Sequence, residues 1–295
     1  MDADDLRILE SVARNGSMNR AATELNTVQS NVTARIRFLE EELGLRLFRR
    51  HSRGVEPTEA GLRLLPYASR VRQLLQEANA AAREDGVPKG TLRLGTLETT
   101  AALRLPAVLA AYAQAYPAVG LVVTTGTSAE LVAGVIEHRL DGAFVAGPIR
   151  HADLVEEALF REELMLVSAR SVKTIEDLTA IRDLKMIVFR VGCSYRQRLE
   201  TILNRIGIQS VQAIEFGSLD AIIGCVAAGI GVTLLPKGVL ARACQDGNVA
   251  MHELPPEQAQ VDTVFIRRSD TYSTSALTAF LEMTRDVTTP AVLGK

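Results

Sequence analysis

The chain has 295 residues, 47% of them hydrophobic and only 4% aromatic, with no tryptophan and a net charge of -2. That length exceeds one average domain of roughly 150 residues, so two or three domains are expected, with aliphatic side chains filling their cores. The near-neutral balance excludes a protein that coats nucleic acid through charge alone, and three widely spaced cysteines (Cys193, Cys225, Cys244) exclude a disulfide framework or zinc knuckle.

The charge is unevenly placed. From Arg20 to Arg72 there are ten Arg and six Glu, whereas residues 91–295 carry nineteen basic and twenty-two acidic side chains. A basic head on a mildly acidic body fits one DNA-binding module and one module with another task. The opening stretch MDADDLRIL has no basic or apolar leader region, and no apolar run approaches the ~18 residues of a membrane span. A soluble, cytoplasmic protein without membrane contact is expected.

In chain order, Leu6, Leu9, Val12 and Ala13 recur at helical spacing, and Asn15-Gly16 ends that helix. Ser17 is placed to cap a second helix, Met18 to Leu25, whose Ala21-Ala22 pair permits close helix approach. Asn26-Thr27 breaks the chain, and Thr27 is the expected cap of a third helix running to about Glu42. On a wheel of ~100° per residue, Val32, Ile36 and Leu39 form its apolar stripe. Opposite lie Ser30, Ala34 and Arg37, flanked by Asn31 and Thr33, with Gln29 at the start. Short polar side chains at a helix N-terminus suit base edges in a major groove, while basic flanks hold phosphates. The Arg-rich stretch Arg49-Arg50-His51-Ser52-Arg53-Gly54 reads as a hairpin wing, and Arg20, Arg49, Arg50 and Arg53 are candidate phosphate contacts.

Thr58 is the expected cap of a long helix. Its Leu64, Ala68, Val71, Leu75, Ala78 and Ala82 alternate spacings of four and three, as in a coiled-coil dimer seam, with Pro66 expected to kink or loosen it. From Gly90 the pattern changes to short apolar strands alternating with helices. Strands are expected at 91–96, 120–125 and 142–146, and helices at 101–115 and 129–137. A second set follows: strands at 163–168, 186–189, 212–215 and 232–235, and helices at 196–205 and 219–228. A strand at 263–267 and a helix at 275–284 close the chain. This alternation predicts two Rossmann-like α/β lobes with a cleft between them. The expected domains are 1–57, a helix-turn-helix with wing; 58–89, a linker helix; and 90–295, with lobe I at about 90–161 and 268–295 and lobe II at about 162–267.

Ligands in such lobes bind beyond the carboxyl ends of strands. In the first half Thr99, Thr100, Thr127 and Ser128 occupy these turns. In the second, Cys193, Ser194, Tyr195, Arg196 and Ser218 occupy comparable ones. Hydroxyls and free N–H groups there suit a carboxylate or another anion, although ordinary N-capping accounts for them more readily.

The residues from Gly16-Ser17-Met18-Asn19-Arg20-Ala21-Ala22 through Leu39-Glu40-Glu41-Glu42-Leu43-Gly44, Leu47-Phe48-Arg49-Arg50 and Thr58-Glu59-Ala60-Gly61 resemble the N-terminal signature of LysR-type regulators. Gly90-Thr91-Leu92-Arg93-Leu94-Gly95 and Ala227 to Pro236 are similar to that family's effector domain. The sequence departs from the usual pattern at Val28, Ser30 and Ala34. The resemblance implies a winged helix-turn-helix, dimerisation through the linker helix and a tetramer built through effector domains. It also implies binding to interrupted inverted repeats at promoters, activation or repression, RNA polymerase as downstream partner, and an effector site at the Thr99, Thr100 and Thr127 positions and around 193–196. No cofactor is implied beyond the small-molecule effector.

Three readings compete. An enzyme is opposed by four scattered histidines (His51, His138, His151, His252) and by the lack of a nucleophile elbow, phosphate loop or dinucleotide fingerprint. A solute-binding protein is opposed by the basic head. A redox sensor would rest on Cys193, in a Gly-Cys-Ser turn near a helix start.

Overall fold

The computed structural model describes residues 1–51, 54–190, 192, 194–209, 211–245 and 247–288. The chain divides into two compact units, the first formed by Met1–Asp85 with Glu137–Arg139 and the second by Gly86–Ile136 and the chain from Leu140 onward.

The first unit opens with α1 (Ala3–Asn15), α2 (Met18–Glu24) and α3 (Gln29–Leu43). Asp2 and Asp5 make a reciprocal capping box at the start of α1, and Gly16 ends the helix in the left-handed conformation. A hairpin of β1 (Phe48–His51) and β2 (Gly54–Pro57) follows, paired antiparallel from Phe48↔Pro57 to His51↔Gly54. The core gathers Leu9 and Val12 of α1, Ala21 and Ala22 of α2, and Val32, Ile36 and Leu39 of α3 over Leu47 and Phe48. The stripe on α3 therefore faces inward, as its period requires.

The long helix α4 (Glu59–Ala82) runs unbroken through Pro66, with Thr58 Oγ1 accepting from Gly61 N–H at its start. Arg72 ties it to α1 through Glu10 at 2.9 Å. The expected seam is divided between two tasks. Ala68 is buried and Leu64 packs on the head's own core. Leu62, Tyr67, Val71, Leu74 and Leu75 are the large apolar side chains that α4 leaves exposed.

In the second unit the elements in order are β3 (Gly90–Thr96), α5 (Glu98–Leu103), α6 (Leu105–Ala115), β4 (Val119–Thr125), α7 (Ser128–Ile136), β5 (Gly142–Ala146) and β6 (Leu154–Ala169). Then come β7 (Lys185–Phe189), α8 (Ser194–Arg205), β8 (Gln212–Phe216), α9 (Leu219–Ala227), β9 (Thr233–Pro236) and α10 (Lys237–Gln245). β10 (Val249–His252), α11 (Pro256–Ala259), β11 (Gln260–Arg268) and α12 (Ser275–Thr288) complete it. The single helix expected at 101–115 is two. Pro106 has no N–H to donate and its ring crowds the preceding turn, so the chain breaks at Arg104.

Two long strands join the lobes. β6 spans sixteen residues, more than twice the expected strand. Its first half pairs antiparallel with β11, and its second half pairs with β9 and β10. β11 in turn pairs with β5 over Thr263–Ile266. The return crossing therefore comes near Thr263, ahead of the 267/268 boundary expected from sequence, and the ladder is irregular there, between Thr263 and Val264. Lobe I holds β4, β3 and β5 in parallel, joined to β11 and β6. Lobe II holds the parallel pair β7–β8, linked to β9 by a bridge between Met186 and Val232. One apolar cluster runs from Leu131, Ala143 and Val145 through Val261 and Val264 to Met186, Leu199 and Leu234, so the crossing strands are packed on both sides.

Candidate DNA interface and effector cleft

The head presents the N-terminal turns of α3. The helix starts at Gln29 with Val28 as a cap that offers no side-chain bond. Thr27 does not cap it as expected, because its hydroxyl accepts from Asn31 Nδ2 at 3.0 Å while its N–H donates to Ala22 O at 2.9 Å. Gln29 Nε2 likewise donates to Thr33 Oγ1 at 3.0 Å. The amide oxygens of Gln29 and Asn31 are left to accept. Ser30, Asn31 and Arg37 are exposed and Thr33 is half-buried. Among the described residues the side chains of Ser30 and Arg37 have no hydrogen-bond partner. Arg20 at the start of α2 and Arg49 and Arg50 on β1 are exposed; Arg53 lies outside the described residues.

Two neighbours on α3 do different work. Arg35 pairs with Asp2 and Asp5, each at 2.9 Å, and locks α3 to α1. Glu40 is buried, its Oε1 accepting from Leu47 N–H at 2.8 Å and Phe48 N–H at 3.2 Å, and its Oε2 from Arg46 at 2.9 Å. Sequence reading placed Glu40 with the acidic end of the helix. Its spacing of four from Ile36 and eight from Val32 puts it on the inner stripe, and that was the available signal.

In the second unit β3, β4 and β5 end at one edge, where ligands of such sheets bind. Thr99 and Thr100 are buried, at 3% and 5% exposure, and neither hydroxyl has a partner among the described residues. Ser128 Oγ accepts from Ala146 N–H at 3.4 Å. Thr127 is engaged within its own helix: its N–H and Oγ1 both donate to Glu130 Oε2, at 2.8 and 2.9 Å, and Glu130 N–H donates back to Thr127 Oγ1 at 3.3 Å. The N-capping role open at this position is thus realised as a capping box. Those bonds, first the backbone one, hold the Glu130 carboxyl below its ordinary range, and the charge of Arg190 adds to the effect. Thr263, beside Ala146 at the lobe crossing, has a buried hydroxyl with no partner among the described residues.

From lobe II, Ser194 opens α8 and Ser218 caps α9 without a side-chain bond. Two expected effector contacts take other roles. Tyr195 is buried in the core beside Leu199 and Ile202. Arg196 is paired with Glu215 and, at 3.2 Å, with Glu200, which together raise its pKa and use its charge locally. Cys193 lies outside the described residues, and Cys225 is half-buried on α9 against the Ile222 and Val226 cluster.

Sequence reading missed Arg190 and Gly192, which follow β7. Gly192 has φ +101°, and a Cβ there would lie 3.0 Å from Thr127 Oγ1 and 3.3 Å from Ala129 Cβ. Only a residue without a side chain lets lobe II come this close to the start of α7 without strain. Arg190 lies over Gly217, its Nη2 3.4 Å from where a Cβ would stand. Among the described residues no helix is long and apolar enough to cross a membrane, and no three His, Cys, Asp or Glu side chains gather as a metal site.

Known proteins resemble the chain along nearly its whole length. Residues 3–62 match the family described as bacterial regulatory helix-turn-helix protein, lysR family, and residues 85–289 match the LysR substrate binding domain. The HTH-type transcriptional regulator GltR of Bacillus subtilis is 43% identical over 281 residues, 95% of each chain. YofA of the same species, also an HTH-type transcriptional regulator, is 44% identical over 282 residues, 96% of this chain and 98% of that one. Among solved structures, full-length CbnR complexed with its target DNA superposes with a TM-score of 0.68 at 25% identity, covering 97% of this chain and all of that one. Full-length OxyR from Pseudomonas aeruginosa gives a TM-score of 0.70 at 19% identity, covering 97% and 94%.

Proposed function

Because this chain belongs to the LysR family of transcriptional regulators, we propose that the exposed N-terminal face of α3 reads promoter DNA and that the edge of lobe I carrying Thr99 and Thr100 receives a small anionic effector. Ser30 and Arg37, with Asn31, Thr33 and the amide oxygen of Gln29, meet base edges in the major groove. Arg20, Arg49 and Arg50 hold phosphates, and Arg53 joins them on the wing. The relatives' names as regulators also answer the enzyme alternative.

The observation that carries the sensing half is the pair of buried threonines. Thr99 and Thr100 stand side by side at the ligand-binding edge of the sheet with hydroxyls that no described residue engages, and a bound effector would use both as hydrogen-bond partners. Ser128, Ser194 and Ser218 stand at the starts of α7, α8 and α9, at comparable strand-to-helix turns. The effector favours one lobe geometry and so alters the arrangement of DNA-binding heads.

Assembly follows from what is left uncovered. The apolar side chains of α4 from Leu62 to Leu75 support a dimer through that helix. β4 ends its sheet with Val122 and Val123 exposed, an unprotected edge that supports a second contact and hence a tetramer. Such an assembly, working in the cytoplasm, spans an interrupted inverted repeat and acts on RNA polymerase. A redox switch would rest on Cys193, which lies outside the described residues, and Cys225 is half-buried against the Ile222 and Val226 cluster.

A thermal-shift screen of the full chain against small organic anions tests the sensing half. A ligand at a hundred times its Kd adds ~2.7 kcal/mol of stability. Thr100→Val, which keeps the shape and removes the hydroxyl, is expected to abolish the shift from any hit. A hit that stabilises the variant as well as the wild type would place the effector elsewhere.

A further inference from the structure

Two hydrogen bonds at the start of α3 join side chains that add nothing to its backbone ladder. Gln29 Nε2 donates to Thr33 Oγ1, and Asn31 Nδ2 donates to Thr27 Oγ1, each at 3.0 Å. Both pairs are four residues apart, the spacing that brings side chains together along a helix. In each the amide is exposed and the threonine half-buried, so the threonine is the fixed partner. Thr33 lies within α3, where its branched Cβ leaves the hydroxyl few positions. Thr27 precedes the helix, and its N–H is tied to Ala22 O at 2.9 Å. An exposed amide that turns freely offers a base edge its oxygen or its nitrogen alike. With the nitrogen held, the oxygens of Gln29 and Asn31 are what remains to accept. In the major groove an acceptor is matched by the amino groups of adenine and cytosine and opposed by the keto oxygens of guanine and thymine.

We propose that Thr27 and Thr33 are positioning residues of the DNA reader, each fixing one amide so that α3 selects amino bases over keto bases at two positions of its half-site. This rests on the DNA reading of α3 given above and adds what sets its preference. Thr27 needs no contact with DNA, and the hydroxyl of Thr33 acts through Gln29. Each hold is one hydrogen bond at the surface. It contributes little to the fold, and its loss is felt in discrimination between bases.

The test uses the full chain with Thr27→Val and Thr33→Val, which keep the shape and remove the hydroxyl, and with Thr27→Ser and Thr33→Ser, which keep the hydroxyl. Gln29→Ala and Asn31→Ala mark the base that each amide reads. The duplex selected by the wild type is varied one base pair at a time, and affinity is measured over a range of salt. Thr33→Val should lower the preference for the amino base roughly tenfold at the position marked by Gln29→Ala, and Thr27→Val likewise at the position marked by Asn31→Ala. The Ser variants should restore it. The salt slope should stay that of the wild type throughout, since no phosphate contact changes. Adding each Val to the Ala variant of its amide should cost nothing further. Full discrimination in both Val variants, a keto base preferred at the marked positions, or losses that add in the double variants would overturn the proposal. If Gln29→Ala and Asn31→Ala still mark two positions in that event, α3 reads bases and only the positioning falls. If they mark none, the reading of α3 falls with it.

Discussion

Glu40→Ala should loosen the DNA-binding head while leaving the effector unit as stable as in the wild type. The Glu40 carboxylate is the acceptor for Leu47 N–H and Phe48 N–H, at 2.8 and 3.2 Å, at the point where α3 gives way to the wing. Both residues are buried, and truncation leaves two backbone donors without acceptors. Each orphaned donor costs roughly 1–3 kcal/mol, so a loss of about 2–4 kcal/mol in local stability is expected. Arg46 is largely exposed and adds little, because water takes over its charge. Glu40→Gln keeps an oxygen for the two N–H groups and should recover most of the loss. Hydrogen exchange in the full chain checks this: the Leu47 and Phe48 amides should lose protection in Glu40→Ala and keep most of it in Glu40→Gln. Equal protection in all three proteins would contradict the assigned role.

Gly61→Ala should destabilise the head although it improves helix propensity. In the first turn of α4, a Cβ on Gly61 would lie 2.3 Å from Leu47 O and 3.3 Å from Pro57 Cβ. That carbonyl is fixed, since it accepts from Thr58 N–H at 2.8 Å while Thr58 Oγ1 donates to Arg46 O at 2.7 Å. Propensity alone would make Ala better by about 1 kcal/mol. Overpacking against an immobile backbone costs ~1–3 kcal/mol or more, and at this distance the helix start must move away from the wing base. The sign of the change therefore decides between the two effects. DNA affinity should fall at least tenfold at moderate salt, because the wing and α3 no longer present one surface. A variant as stable as the wild type with unchanged affinity would show that the turn can shift freely.

How far the sequence discloses this molecule depends on how local the responsible physics is. The inward stripe of α3, the hairpin wing and the alternation of strands and helices after Gly90 follow from side-chain period and turn chemistry, and all are present. The break at Arg104 was written in Pro106 and could have been read. The first half of β6, Leu154 to Glu162, was not legible, since its run of Glu and Arg lacks a clean alternation and becomes a strand through pairing with β11. Ala68 looked like part of a dimer seam because helical spacing cannot distinguish packing on a partner from packing on the chain's own head. Within the cleft, the threonines were legible as turn residues after strands. Arg190 was not, because it comes to lie over Gly217 only through the fold. Arg196 carries the same charge in a more suggestive turn, and the fold spends it on Glu200 and Glu215.

If α3 reads sequence while the wing supplies affinity, the two should separate in a selection of binding sites from a random duplex pool by the full chain, repeated with Ser30→Ala, Arg37→Ala and Arg50→Ala. The two α3 variants should recover altered half-sites or lose preference at one or two positions, each worth about 1–3 kcal/mol. Arg50→Ala should recover the wild-type motif with affinity lowered alike for all sequences and a shallower dependence on salt. Recovery of the unchanged motif at unchanged affinity by both α3 variants would contradict that division of roles.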